Sequence, residues 1–479
     1  MSRPLPVLEP ALLWERFFEL TRIARPPKEE AAAREHVLAF AAARSLEPAV
    51  DDEGNVVVRV PATRGRDDAA VVVLQAHLDM VCERDAESPF DPRQGRIDVR
   101  VEDDWVRANG TTLGADNGIG VAAAMAAADD PEVAHGPLEL LFTVSEEQGL
   151  DGAKALDPAL VTGRLLLNLD GTSDGALTIG SAGSDHTHLS LRLDPEAAPP
   201  GHVARRVEVS GAKGGHSGGD IALGRANAIK ALGRVLASAP VRLGALEGGV
   251  SRNALPRAAH AVVAVDAGSE ESWRAATASE LEAIRREYAG TDDGLVLTVE
   301  PAELGAFASA DTSRRVLDLL NAIPSGVLAV NPGLHEPVQT STSLTTVTMR
   351  EGVLTLGSMT RSSNAAALDG VLETMHALAR LAGAEIDVRR SYPPWEPDLG
   401  SPLLATAREA QRRLFGSDPT LVVVHGGLEC AVLGQRLPGV QMLSIGPEMT
   451  GLHAPGEKVR ISSTQRFYRL LGALLGDLS

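Results

Sequence analysis

Apolar residues recur with helical spacing from residue 8 to residue 45, and Pro26 with Pro27 interrupts the pattern, which predicts one or two amphipathic helices. The segment 51–61, DDEGNVVVRVP, joins a turn signal to a β-branched run and reads as an edge hairpin. AAVVVLQAHLDMV (69–81) is continuously apolar, the character of a strand buried on both faces. A glycine-rich loop, GTTLGADNGIG (110–120), feeds VAAAMAAADD, whose alanine density predicts a packed helix. The buried-strand pattern returns in LELLFTV (138–144) and RLLLNL (164–169), separated by helical or irregular stretches. Such alternation predicts an α/β domain with a mostly parallel central sheet flanked by helices.

From about 186 to 395 the texture changes. Alternating strands such as HTHLSLRL and RRVEVSG mix with amphipathic helices at 226–238 and 272–288, the pattern of an α+β domain. SYPPWEPDLGSP (391–402) has the composition of a linker, and LVVVHGGLECAVLG (421–434) and VQMLSIG (440–446) then read as strands. The expected organisation is a discontinuous catalytic domain, 1–185 with 396–479, interrupted by an inserted α+β lid at 186–395.

Composition narrows the setting. The 479 residues are too many for one hydrophobic core. The two cysteines, Cys82 and Cys430, cannot form a disulfide framework, so a reducing, cytoplasmic compartment is expected. The amino terminus lacks the pattern of a secretory leader, and no apolar run is long enough to span a bilayer. With 45 basic and 64 acidic side chains, the net charge of −19 disfavours nucleic acid and anionic membranes as partners.

Five metal-ligand types, His77, Asp116, Glu147, Asp170 and His453, fall where predicted strands run out into loops. Ligands bind at the carboxyl ends of strands in open parallel sheets, and imidazoles with carboxylates make up a two-metal hydrolytic site. His77 and Asp79 are two apart on a strand and share a face, so Asp79 can orient the His77 imidazole. Asp116 lies in the glycine-rich turn, as a bridging carboxylate or as the N-cap of the following helix, with Gly110, Gly114, Gly118 and Gly120 expected to supply positive φ. Asp170 before Gly171 reads as a ligand or as a turn aspartate. Glu146 and Glu147 form a like-charged pair that cations or separate roles would relieve; Glu147 would bind metal and Glu146 would act as general base.

Taken in order, HLDMVCE (77–83), GTTLGADNGIG, FTVSEEQGLDGA (142–153), LLNLDGTSDGALTIGSAG (166–183), GAKGGHSGGDI (211–221), SRNALPRAA (251–259) and HGGLECAVLG (425–434) resemble the aminoacyl-histidine dipeptidases. These form the peptidase D-like, Xaa-His branch of the co-catalytic zinc exopeptidases, which include carnosinases and aminoacylases. The resemblance spans essentially the whole chain. It implies hydrolysis of unblocked dipeptides by a metal-activated water, with N-acyl amino acids as the alternative substrates. Two divalent ions are implied, zinc first and manganese or cobalt as alternatives. His77 and Asp170 would hold one ion and Glu147 and His453 the other, with Asp116 bridging. On the lid, His216 would polarise the scissile carbonyl, and Asn253 and Arg361 would grip the substrate. Lids of this kind often mediate homodimers, although this insert exceeds the minimal size and has room for a second lobe instead. Ser145, Gly171 and Ser181 depart from the usual residues of the branch and leave the fine shape of the pocket open.

Overall fold

Every residue of the strands Val72–His77 and Leu138–Thr143 is buried, the polar Gln75, His77, Glu139 and Thr143 included. In the computed structural model, which describes residues 5–334 and 338–479, both lie inside an eight-stranded mixed sheet. Its order is Glu47–Val50, Val56–Val60, Leu138–Thr143, Val72–His77, Leu165–Asn168, Gln441–Ser444, Ala176–Ser181 and Thr420–Val424. The four central strands run parallel, with His77 in register with Thr143 and Gln75 with both Leu141 and Asn168. The hairpin Glu47–Val50 and Val56–Val60 closes one edge antiparallel.

Helix Ala115–Asp129 is buried around nearly its whole circumference, which its alanines and glycines permit. Ala11–Leu20 and Ala31–Ala43 are the two predicted amino-terminal helices, separated by the Pro26–Pro27 break. Among the described residues no helix is long and apolar enough to cross a membrane.

The chain divides into two compact units. Met1–Ser181, Trp395–Val424 and Leu428–Ser479 form the first; Ala182–Pro394 with His425–Gly427 form the second. The second unit is built on a nine-stranded sheet whose pairings are antiparallel. Helices Ala228–Ala237, Glu270–Glu287, Ala310–Ala322 and Ala365–Ala382 pack their apolar stripes with Leu189, Val207, Leu246, Leu344 and Leu356 into one core. The fold is therefore mixed α/β with an α+β insert.

Two local expectations change. Only Thr420–Val424 of the run 421–434 is a strand; Gly426 and Gly427 break it, and Glu429–Arg436 is a helix with Cys430, Ala431, Val432 and Leu433 buried. A short apolar run fits either element, and periodicity alone does not separate them. In the 110–120 loop, Gly110 and Gly114 have positive φ, but Gly118 and Gly120 do not. They are small for packing: a Cβ on Gly118 would press on the Arg25 guanidinium, and one on Gly120 on the Leu169 carbonyl.

Gly171 is another close approach. Its amide donates to the Ile445 carbonyl at 3.2 Å, and an added Cβ would lie 2.6 Å from the Gly446 nitrogen. Because the obstacle is backbone, Gly171→Ala should destabilise the protein by about 1–3 kcal/mol; an unchanged urea midpoint would contradict this packing.

Candidate metal centre

His77 is the last residue of its strand, Asp170 follows Leu165–Asn168 by two residues, and Glu146 and Glu147 follow Leu138–Thr143 closely. These strands are neighbours and parallel, so their carboxyl ends emerge side by side. Asp116 enters from the start of Ala115–Asp129, where Asp116 and Asn117 leave helical geometry after the left-handed Gly114 N-cap. The Asp116 carboxylate hydrogen-bonds to His77 and His453 rather than to an amide of the helix that follows. His453 comes from the loop before Lys458–Arg460, at φ 60°.

These side chains meet. Asp116 Oδ1 lies 3.0 Å from His77 Nε2, and Asp116 Oδ2 lies 3.2 Å from His453 Nε2. His77 Nε2 is also 3.7 Å from Asp170 Oδ1, and His453 Nε2 is 3.0 Å from Glu147 Oε2. Two groups with metal-ligating geometry result, His77 with Asp116 and Asp170, and Asp116 with Glu147 and His453. Glu146 joins a third, with His77 and Glu147.

The electrostatics are those of crowded carboxylates. Burial pushes Asp170 up to about 6, and the neighbouring Asp116 adds to the rise. Burial also lifts Glu146 well above the usual carboxyl range, opposed by His77 and reinforced by Asp170 and Glu147. For Asp116 burial works upward too, but its contacts with His453 and His77 outweigh it and hold the group low. Contacts with Asp116 and Glu147 raise His453 to about 11. Glu147 Oε1 is buried without a hydrogen-bond partner. Imidazole nitrogens, carboxylate oxygens in excess and an unmatched acceptor fit a pair of divalent cations.

A family model described as Peptidase family M20/M25/M40 matches residues 73–477. The chain belongs to this family. The cytosol non-specific dipeptidase of Escherichia coli (strain K12) is 36% identical over 479 residues, covering 99% of each M20 chain. The crystal structure of aminoacylhistidine dipeptidase from Vibrio alginolyticus is 35% identical with a TM-score of 0.91, covering 98% of this chain and 97% of that one. Aminopeptidase PepT from Bacillus cereus, 17% identical with a TM-score of 0.58 over 99% of this chain and 100% of its own, shares the fold.

In this M20 chain the clustered groups are held from behind by buried polar residues. Asp79 faces His77 Nδ1 at 3.3 Å and accepts the amides of both Glu146 and Glu147 at 3.0 Å, so it organises two strand ends. Ser145, at φ 52°, gives its amide and its hydroxyl to Glu30 Oε1 at 2.9 and 3.0 Å. Arg25 is buried and donates to the carbonyls of Leu78, Asp79 and Gly114. Glu457 accepts four successive amides, Leu113, Gly114, Ala115 and Asp116, at 2.7–3.3 Å. Glu429, pushed by burial up to about 7, accepts from Gln75 and Thr143. Sequence reasoning missed Arg25, Glu30, Glu429 and Glu457; the available signal was a charged residue inside or beside an apolar or glycine-rich run, as in RIARPP, GGLEC and APGEK.

His216, Asn253 and Arg361 all lie in the second unit. His216 Nδ1 accepts the Gly218 and Gly219 amides at 3.3 and 3.0 Å, which fixes the tautomer with its proton on Nε2. Burial first, and Arg361 second, lower its pKa, against Asp220, which raises it. Arg361 is buried and donates to the Tyr392 hydroxyl at 3.0 Å. The Asn253 carbonyl accepts the Ser217 amide at 2.7 Å, so its backbone anchors the His216 loop.

Glu457→Leu would leave four amides of the Asp116 loop without their acceptor and should cost about 3–5 kcal/mol in urea unfolding of the metal-free protein. Glu457→Gln, which keeps one oxygen, should cost less; equal losses for the two would show that bulk, not the amide cradle, is what matters.

Proposed function

We propose that the chain is a metal-dependent dipeptidase that hydrolyses unblocked dipeptides with two divalent cations. His77 and Asp170 would hold one, Glu147 and His453 the other, and Asp116 both. The observation that carries this reading is the split of the Asp116 carboxylate, one oxygen facing His77 and the other His453. Membership of a peptidase family and two dipeptidase relatives support the reaction class. Bound there, the cations would acidify a water molecule and polarise the scissile carbonyl. Zinc suits the mixed nitrogen and oxygen donors, with manganese or cobalt the alternatives for metal analysis to separate.

Glu146 is the proposed general base. Burial lifts its carboxyl above the usual range, the direction that makes its carboxylate a stronger base toward the attacking water, whose proton it would return to the leaving amine. Asp79 orients His77 and holds the Glu146 and Glu147 amides. In the second unit, His216 is proposed to polarise the scissile carbonyl and stabilise the oxyanion through a hydrogen bond from its Nε2–H, a role its neutral tautomer supports. Asn253 and Arg361 are proposed substrate-binding groups, Arg361 suited to a carboxylate. Histidine in the second position is a named property of the Vibrio relative and not of the Escherichia coli one, so the substrate class proposed here is dipeptides, with Xaa-His members among them.

The test pairs metal analysis with a hydrolysis panel of Xaa-His dipeptides, other dipeptides and N-acyl amino acids. Glu146→Gln should lower kcat on dipeptides by about 10²–10⁴ while metal content stays at the wild-type level. Turnover confined to N-acyl amino acids would replace the dipeptidase reading, and full activity in Glu146→Gln would remove the proposed base.

Metal uptake should also release protons. A base raised to about 11 by its contacts with Asp116 and Glu147, as His453 is, holds its proton at pH 7, and a cation must displace it. Apparent affinity should therefore climb as pH rises through neutrality and fall as pH drops. Calorimetry of the metal-free protein in two buffers of different ionisation enthalpy should give different heats, reporting about one proton or more released; identical heats would count against His453 as a ligand.

A further inference from the structure

Beneath the proposed ligands lies a second polar layer that the reaction as described does not use. Glu429, the first residue of the helix Glu429–Arg436, is fully buried, and so are Gln75, Thr143 and Asn168. Glu429 Oε2 accepts from Gln75 Nε2 at 2.5 Å and from Thr143 Oγ1 at 2.8 Å. Gln75 Oε1 accepts from Asn168 Nδ2 at 2.6 Å, and Asn168 Oδ1 accepts the Asp170 amide at 3.2 Å. Gln75 precedes His77 by two residues in one strand and shares its sheet face, and Asn168, the last residue of its strand, holds the amide of Asp170 two residues on. Thr143 is the register partner of His77. One carboxylate thus ties together three adjacent parallel strands one step below the ends that carry His77, Glu146 with Glu147, and Asp170.

We propose that Glu429 is a positioning residue, whose hydrogen bonds to Gln75 and Thr143 set the spacing of the three strand ends and so the tightness with which the centre holds its cations. This rests on the two-metal reading above. A buried carboxylate is costly, and its second oxygen, Oε1, is without a hydrogen-bond partner. An apolar side chain at 429 would remove that cost but would take the charged acceptor from Gln75 Nε2 and Thr143 Oγ1, leaving them their mutual bond at 3.1 Å and the longer 3.4 Å bond from Thr143 to the Ala76 carbonyl, directly under the proposed ligands. Groups that orient ligands from behind commonly change metal affinity or activity by tenfold to a hundredfold when altered.

The test compares wild type with Glu429→Gln, Glu429→Leu and Thr143→Val, each loaded with zinc and challenged with a chromophoric chelator. Glu429→Gln keeps an acceptor oxygen for both donors and should retain metal within about threefold of wild type. Glu429→Leu should lose metal to the chelator about tenfold to a hundredfold more readily, and lower kcat with little change in KM. Thr143→Val, which removes one donor at nearly constant volume, should shift metal retention in the same direction by less, and it carries the test if Glu429→Leu does not fold. A Glu429→Leu or Thr143→Val protein that melts earlier when metal-free yet holds zinc as tightly as wild type would make the layer merely structural and overturn the proposal. A wild-type chain that binds no divalent ion would instead overturn the metal reading itself, and this inference with it.

Discussion

Asp116 faces imidazoles that enter from opposite ends of the chain, His77 through one oxygen and His453 through the other. A carboxylate used on both sides cannot be satisfied by moving either partner alone, so its backbone has to be fixed independently of both. Glu457 supplies that fixation by gathering the four amides from Leu113 to Asp116, and Arg25 adds a bond to the Gly114 carbonyl. The departure of Asp116 and Asn117 from helical geometry is held by these bonds rather than by the helix that follows. Glu457 stands four residues after His453, so one short loop delivers both a side chain that meets Asp116 and the clamp that holds the Asp116 backbone.

The same logic recurs at the other strand ends. Asp79 collects the Glu146 and Glu147 amides, Glu30 collects Ser145, and Arg25 collects the carbonyls of Leu78 and Asp79. Most of these clamps are ionisable groups hydrogen-bonded to backbone, which is an expensive way to gain stability, because burying a charge costs several kcal/mol before any contact is made. Apolar packing would hold the loops more cheaply, but it would not dictate where an amide or carbonyl points. Direction is what side chains clustered within a few ångströms require.

Much of this was legible in the sequence, for reasons that differ by residue. His77, Glu147 and Asp170 sit at the ends of apolar strands, and strand ends in parallel sheets are where ligands gather. The Pro-rich run 391–402 contains Trp395, where the first unit resumes, whereas His425–Gly427, within the segment expected to belong to the first unit, groups with the second. Glu457 and Glu429 were not legible, because their partners lie more than 280 residues away and a lone glutamate beside a glycine or an apolar run has no local signature. The helix Glu429–Arg436 was misread for a related reason: eight residues give too little periodicity to separate a buried helix from a strand. Gly118 and Gly120 show the opposite failure, since a glycine-rich run invites a conformational explanation when the true constraint is the proximity of Arg25 and Leu169.

Long sequence separation is itself informative about how the centre can assemble. Val72–His77, Leu138–Thr143 and Leu165–Asn168 can pair and bring His77, Glu146, Glu147 and Asp170 together using the amino-terminal segment alone. Until Glu429, His453 and Glu457 arrive, however, Gln75 and Thr143 lack their carboxylate, Asp116 lacks one imidazole, and four loop amides lack an acceptor. Gln75 and Thr143 keep a bond to each other and Asp116 keeps His77, so the widest gap is at the four loop amides, and the carboxy-terminal portion of the same unit closes it. The carboxy-terminal portion of the first unit therefore completes the polar scaffold that its amino-terminal segment begins.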